Sequence, residues 1–154
     1  MLLSIGGGLP TDYYLQTKDI AEYLAEFLWG AFGPVTSKWT SQGKPRPFGD
    51  AYVDGFDLDL EAFMKPAPFD DYLFANYRYF VDKLKNDLYP TQPGKFYISA
   101  APQCVVPDVR LSDALSHSWF DFVFTQFYNT DLCNSRRGVE GIGASKTAFT
   151  FDTW

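Results

Sequence analysis

Clusters of basic residues are missing from this chain. Its 13 Lys and Arg are outnumbered by 19 Asp and Glu, giving a formal charge of −6. With the cations dispersed, nucleic acid is excluded as a partner, because that binding rests on neutralising phosphates. An acidic surface suits a neutral or cationic partner instead. Apolar runs near the roughly 20 residues of a membrane span are also lacking, so no membrane partner is expected. Met1-Leu2-Leu3-Ser4-Ile5-Gly6 has neither the basic nor the long apolar region of a signal peptide and reads as a strand entered part-way. No Asn-x-Ser/Thr acceptor is present. The one histidine, His117, has no evident sequence partner and reads as a surface residue. Two cysteines, Cys104 and Cys133, leave a disulfide and a pair of buried thiols equally open.

What is there is a globular composition. At 154 residues and 46% apolar, the chain can bury one core, as a single unit or as a piece of one. Aromatic residues reach 19%, which favours a Phe-rich core over a stacking surface. Residues 1 to 6 read as a short buried strand ending at Gly6-Gly7-Gly8, followed by a loop over Thr11 to Thr17. Ile20, Tyr23, Leu24, Phe27, Leu28 and Phe32 recur at helical spacing, with Thr17 as N-cap and Gly33-Pro34 as the stop. A loop over 35 to 50 follows, then a strand over 51 to 61 by its period of two. Pro66 and Pro68 break the chain, and Tyr72, Leu73, Tyr77, Phe80, Val81, Leu84 and Leu88 mark a second long helix. A third strand over Lys95 to Ala101, a short helix around Leu111 to Ser116 and a fourth strand over Trp119 to Tyr128 complete the pattern, and the tail from Asn129 reads as loop.

Strands separated by helices imply parallel pairing with right-handed crossovers, hence an α/β fold. Two architectures fit: a doubly wound open sheet and part of an eight-stranded barrel. In both, chemistry gathers at the carboxyl ends of the strands. Those ends are Gly6 to Gly8, Asp59 and Glu61, Ala101 to Cys104, and Gln126 to Asn129.

The stretch VDGFDLDLEAF, residues 53 to 63, separates the two architectures. Asp57, Asp59 and Glu61 alternate with Phe56, Leu58 and Leu60. A central strand of a doubly wound sheet is covered on both faces and should be apolar on both. One acidic face suits a barrel with a polar upper lumen. Successive carboxylates lie about 6 to 7 Å apart on such a strand. In a partly desolvated site they repel, so at least one holds its proton at neutral pH, as a general acid must. A solvated edge strand is the plainer alternative, but edges favour Lys and mixed charge. A divalent metal site is disfavoured because the EF-hand spacing fails and no His or second acidic cluster supplies further ligands.

Ser4-Ile5-Gly6-Gly7 and Asp54-Gly55-Phe56-Asp57-Leu58-Asp59-Leu60-Glu61 resemble the paired signatures SxGG and DGxDxDxE of glycoside hydrolase family 18. Arg46-Pro-Phe-Gly-Asp50, Ser99-Ala-Ala-Pro-Gln-Cys104 and Gln126-Phe-Tyr-Asn129 are similar to segments of its plant and fungal class III chitinases. The resemblance covers essentially the whole chain and implies an incomplete family 18 catalytic domain over 1–154, a partial TIM (β/α)8 barrel with about four parallel strands, strands three to six of the eight. Such barrels typically take about 250 residues. The resemblance implies no counterpart here of the remaining strands, or of the Trp that floors the family's sugar site, a role Trp154 does not take.

Carried over by residue, the resemblance implies that Glu61 is general acid and then base, and that Asp59 turns toward it and holds the substrate acetamide. Asp57 would share a proton with Asp59, and Tyr128 would donate its hydroxyl to the acetamide carbonyl. The substrate's own N-acetyl oxygen acts as nucleophile, an exception to the two-carboxylate scheme. Gln126, Asn129 and Gln103 would bind sugar. Ser4, Gly6, Gly7, Asp54 and Gly55 would be structural, packing close beneath the acidic strand. No cofactor and no metal is implied. Cys104 and Cys133 match the class III cysteine positions, which implies a disulfide closing a loop of about 30 residues, contributing on the order of 3 kcal/mol if geometry permits, and an extracellular destination with the signal peptide absent from this chain. The expected activity is cleavage of β-1,4 bonds in chitin or chito-oligosaccharides. Three other readings stand beside it: a close variant, an endo-N-acetylglucosaminidase acting on glycans; a non-catalytic chitin-binding or inhibitor-like relative; and an inactive piece of the barrel whose open strand edges seek a complementary segment.

Overall fold

The computed structural model describes residues 1–9, 14–61, 74, 76–140 and 149–154, and for Glu140 the backbone alone. The expectations for Thr11, for Phe63, for the Pro66 and Pro68 break and for Tyr72 and Leu73 fall outside the described residues. Four strands, β1 (Leu3–Gly7), β2 (Gly55–Leu60), β3 (Tyr97–Ala100) and β4 (Phe122–Val123), form one sheet in the order β1-β2-β3-β4. Every pair is parallel. A doubly wound sheet reverses its strand order at a switch point, whereas strands laid down in sequence by right-handed crossovers keep their helices on one face. This is a partial α/β barrel.

The covered face is built by alternation. Phe56, Leu58 and Leu60 of β2 and Ile98 and Ala100 of β3 are buried against the helices. Helix α1 (Lys18–Phe32) starts where Thr17 Oγ1 accepts from the Ile20 N–H, 3.2 Å, and stops where Gly33 N–H donates to Trp29 O, 2.8 Å. Its buried stripe is Ala21, Ala25 and Trp29, small side chains that admit the helix close to the sheet, then one large ring. Trp29 packs on Tyr89 and Phe96, with centroids 4.8 and 4.9 Å away. Burying each such ring contributes about 2–3 kcal/mol. Helix α3 (Tyr77–Asp82) widens into a π-helix over Lys83–Leu88 and tightens into a 3₁₀ turn over Tyr89–Thr91. Tyr89 N–H accordingly reaches back to Leu84 O, and Pro90, without an N–H, cannot extend the π-helical bonding and sits inside the 3₁₀ turn.

Several expectations need correction. β1 is half-buried rather than buried, its pattern alternating partial and full exposure, because it is an edge of the sheet. The fourth strand shrinks from ten residues to Phe122–Val123, with one further bridge from Gln126 to Gln103. β3 ends at Ala100, and the outer side of β4 is the other sheet edge, so little backbone remains to pair with. The loop over 35 to 50 contains α2 (Ser37–Thr40), and the tail contains α5 (Ser135–Glu140) and a 3₁₀ turn over Phe151–Thr153. Helix α4 (Ser112–His117) matches the short helix, but its His117 has a partner, Asp113 Oδ1 one turn earlier at 3.3 Å. No helix among the described residues is long and apolar enough to cross a membrane.

Candidate active site

Parallel register places Ser4, Asp57 and Ser99 side by side across three strands. Asp57 is anchored there from both sides: Ser4 Oγ donates to its Oδ2 at 2.9 Å and Ser99 Oγ to its Oδ1 at 2.5 Å. Ser99 is 1% exposed, so its hydroxyl is a committed donor. Two hydroxyl donors satisfy a carboxylate and hold the three strands laterally. Ser99 opens the segment Ser99-Ala-Ala-Pro-Gln-Cys104, and its one signal in the sequence is a hydroxyl on the strand that follows the acidic one.

One layer higher, Gly6 pairs with Asp59. Gly6 has φ +118°, and a Cβ on it would fall 2.1 Å from Asp59 O. Gly55 has φ +143°, and its Cβ would fall 1.8 Å from Tyr97 O. These two glycines let β1 and β3 close on the acidic strand. Asp54, beside Gly55, donates its backbone N–H to Met1 O at 2.8 Å. Above Gly6, a Cβ on Gly8 would lie 3.4 Å from Glu61 Oε1, so the Glu61 carboxyl rests over the turn that leaves β1.

Asp59 accepts from Gln126 Nε2 at 2.8 Å, and the same amide nitrogen donates to Ala101 O at 2.9 Å. Gln126 is 5% exposed. Both of its N–H donors are therefore spent inside the protein, fixing Asp59 from β4's extension. Burial pushes the Asp59 carboxyl above the ordinary aspartate range, and the neighbouring charges of Glu61 and Asp57 push it further; the Gln126 donor draws it partly back. The middle of the acidic ladder is therefore a carboxyl that holds a proton more readily than an ordinary aspartate.

The other expected site residues lie apart from this ladder. Gln103 donates its backbone N–H to Asp108 Oδ2 at 3.0 Å and accepts at Oε1 from Arg110, 3.2 Å. Asp108, 1% exposed, also takes the N–H groups of Arg110 and Leu111. This Asp108 hub shapes the turn after β3, and its one signal in the sequence is an Asp shortly before a helix. Tyr128 is 58% exposed and, among the described residues, makes no hydrogen bond to the carboxylates. Asn129 is exposed with φ +58°, a left-handed turn that Asn tolerates. Cys104 and Cys133 form a disulfide. The tail folds back on it, with Thr150 Oγ1 and Trp154 Nε1 both donating to Cys104 O, at 2.5 and 3.2 Å. Among the described residues, no group of three or more His, Cys, Asp or Glu is arranged to hold a metal ion.

No protein-family model matches the chain. Endochitinase A of Emericella nidulans is 46% identical over 154 residues, covering 100% of this chain and 15% of that protein. A probable endochitinase of Arthroderma benhamiae is 44% identical over 158 residues, again covering 100% of this chain, and 19% of its own. The chain thus spans less than a fifth of the length of these relatives. Among solved structures, a chitinase from Ipomoea carnea superposes with a TM-score of 0.70 at 31% identity, over 96% of this chain and 50% of that one. A xylanase and α-amylase inhibitor protein from Scadoxus multiflorus follows, with a TM-score of 0.67 at 28% identity over 96% and 51%. The chain is thus similar along its whole length to one stretch of these fungal endochitinases, and over 96% of it to half of a solved chitinase.

Proposed function

We propose that this chain carries the acid/base centre of a chitinase, as part of an incomplete family 18 catalytic domain that spans residues 1–154. The observation that carries the reading is the ladder Asp57, Asp59, Glu61 on the open face of the sheet, at the carboxyl end of β2. Its lowest rung is anchored by two hydroxyls, and its middle rung is raised in pKa. Glu61 protonates the glycosidic oxygen and then activates water. Asp59 holds the acetamide whose oxygen attacks the anomeric carbon, and Asp57 supplies the lower end of the relay. This scheme retains configuration without a second nucleophilic carboxylate. A protonated Asp59 can donate to Glu61, and an ionised Asp59 accepts from the acetamide N–H; one mobile proton lowers the cost of crowding three acids. Gln126 serves by orienting Asp59, its donors being engaged. Tyr128, on the exposed segment beyond, donates to the acetamide carbonyl once substrate is seated. The substrate class is chitin or chito-oligosaccharide, and the class III assignment rests on the matched segments and on the cysteine positions. The disulfide supports an oxidising, extracellular destination.

A complementary barrel segment belongs to the same reading. β1 and β4 end the sheet, and Phe122, Val123 and Phe124 near the β4 edge are 47%, 45% and 61% exposed. Apolar edges of this kind call for pairing. A second reading, a non-catalytic relative on the same scaffold, is favoured by the comparable likeness to an inhibitor protein; retention of Glu61 separates the two. The test is hydrolysis of chito-oligosaccharides by a complete protein containing this segment, against its Glu61→Gln variant. Turnover is expected to vanish in the variant while sugar binding persists. Undiminished turnover refutes the assignment, and binding without turnover in the parent selects the non-catalytic reading.

A further inference from the structure

On the opposite end of the sheet from the carboxylates lies a cavity of about 310 Å³. Its position follows from topology: α1 ends beside the start of β2, where Val53 N–H donates to Phe32 O at 2.9 Å. Tyr23 and Phe27 of α1, Trp39 of α2, Leu88 at the end of the π-helix, and Lys38 and Lys44 line it. All of these belong to elements of this chain or to the loop after α2. The volume falls within the roughly 300–1,000 Å³ typical of small-molecule sites.

The local sequence explains both the shape and the charge. Gly30 leaves room for the Trp39 ring to lie on α1, where a Cβ would meet that ring at 2.2 Å. Trp39 Nε1 is pinned to Pro45 O at 3.0 Å. Arg46 holds the loop by donating to Gly30 O and Gly33 O at 2.9 and 2.8 Å. This satisfies carbonyls at the end of α1 that would otherwise repel an anion. Between Glu26 and Asp50 the chain has Lys38, Lys44 and Arg46 and no acid, in a protein of net charge −6. Glu26, the acid that lines the cavity, is held by Lys83 at 3.2 Å. Lys38 and Lys44 have no acidic partner among the described residues, and Lys44 Nζ rests 4.6 Å from the centre of the Trp39 ring.

We propose that this cavity binds a small planar organic anion, a ring-bearing carboxylate or its like. The ring inserts beside Phe27 and Trp39, and the charged group is met by Lys38 and Lys44. Aromatic walls supply the apolar contact, and two exposed lysines among the lining residues supply the charge match. Neither feature has a use in the carboxylate ladder at the other end of the sheet, so this inference stands apart from the proposed activity.

The test uses the 154-residue chain, 2-naphthoate as probe, and the indole N–H resonances of the four tryptophans. A saturable shift at Trp39 is expected, with Kd on the order of 0.1–1 mM for a ligand of this size. The Lys38→Gln/Lys44→Gln variant should weaken binding about tenfold or more, since charge-assisted contacts are lost. The neutral analogue 2-naphthylmethanol should weaken it by a similar factor and requires no variant. Shifts confined to Trp119 or Trp154 would place the probe on the apolar β4 side and overturn the proposal. So would equal affinity for the neutral analogue, an unaffected double variant, or no saturable binding.

Discussion

Gly6 and Gly7 are adjacent in β1, and both have positive φ, +118° and +100°. Their surroundings differ. A Cβ on Gly6 would fall 2.1 Å from Asp59 O and 2.7 Å from Asp59 C, whereas a Cβ on Gly7 meets nothing within 4 Å. Gly7→Ala therefore incurs only the backbone term, about 1–2 kcal/mol for a non-glycine residue held at positive φ. Gly6→Ala incurs that term and must also drive β2 away by about 1 Å, since Cβ contacts below 3.0 Å are essentially never tolerated. Breaking the β1–β2 ladder at that point loses about two backbone hydrogen bonds at about 1 kcal/mol each, together with the packing beneath them. The expected loss is about 3–5 kcal/mol for Gly6→Ala, against a total of about 5–15 kcal/mol for a domain. Urea unfolding of the two variants, followed by far-ultraviolet circular dichroism, measures the difference directly. Equal destabilisation by the two substitutions would refute the close approach of β1 to the acidic strand, and with it the geometry that sets Asp59 at its height in the site.

Other expectations follow from the same geometry. Replacing Cys104 and Cys133 by Ser opens a loop with a sequence separation of 29, and should cost about 3–4 kcal/mol by chain entropy, or a drop in Tm of about 10 °C by differential scanning fluorimetry. Asp59 has a raised folded-state pKa, so its contribution to stability is present below its unfolded value and is lost as pH rises through the folded one. Asp59→Asn should accordingly stabilise the chain at neutral pH relative to acid, and urea midpoints across pH 3–8 report the crossover; a gain that grows toward acid would contradict the raised pKa. Gln126→Leu removes the donor that lowers the Asp59 pKa, so carbon-detected NMR should show the Asp59 titration moving further upward. Gly8→Ala places a methyl 3.4 Å from Glu61 Oε1; it should leave stability within about 1 kcal/mol while reducing turnover in a complete, active protein.

Local physics made some elements legible. Helix α1 is bounded by a capping hydroxyl and by Gly33-Pro34, both local signals, and its ends fall at Lys18 and Phe32 as those signals imply. β2 declared itself by alternation, because its period of two puts a buried residue and an acid on opposite faces at every step. β4 did not. Trp119 to Tyr128 is apolar enough for a long strand, yet the length of a strand is set by its neighbour, and β3 stops at Ala100. Helix α5 escaped notice because Ser135–Glu140 is short and polar, with Gly138 inside it.

The alternation of acids and apolar residues, the glycines before and within β2, and the capped helices are properties of neighbouring residues, and the amino-acid order alone establishes an acidic ladder on one face of a parallel α/β chain. The state of that ladder is a property of residues far apart. Asp57 is anchored by hydroxyls 53 and 42 positions away, Asp59 by an amide 67 positions away, and Gln126 is a buried brace through the same bond. Hydrogen-bond partners and desolvation depend on which strands lie side by side, and tertiary packing alone decides that.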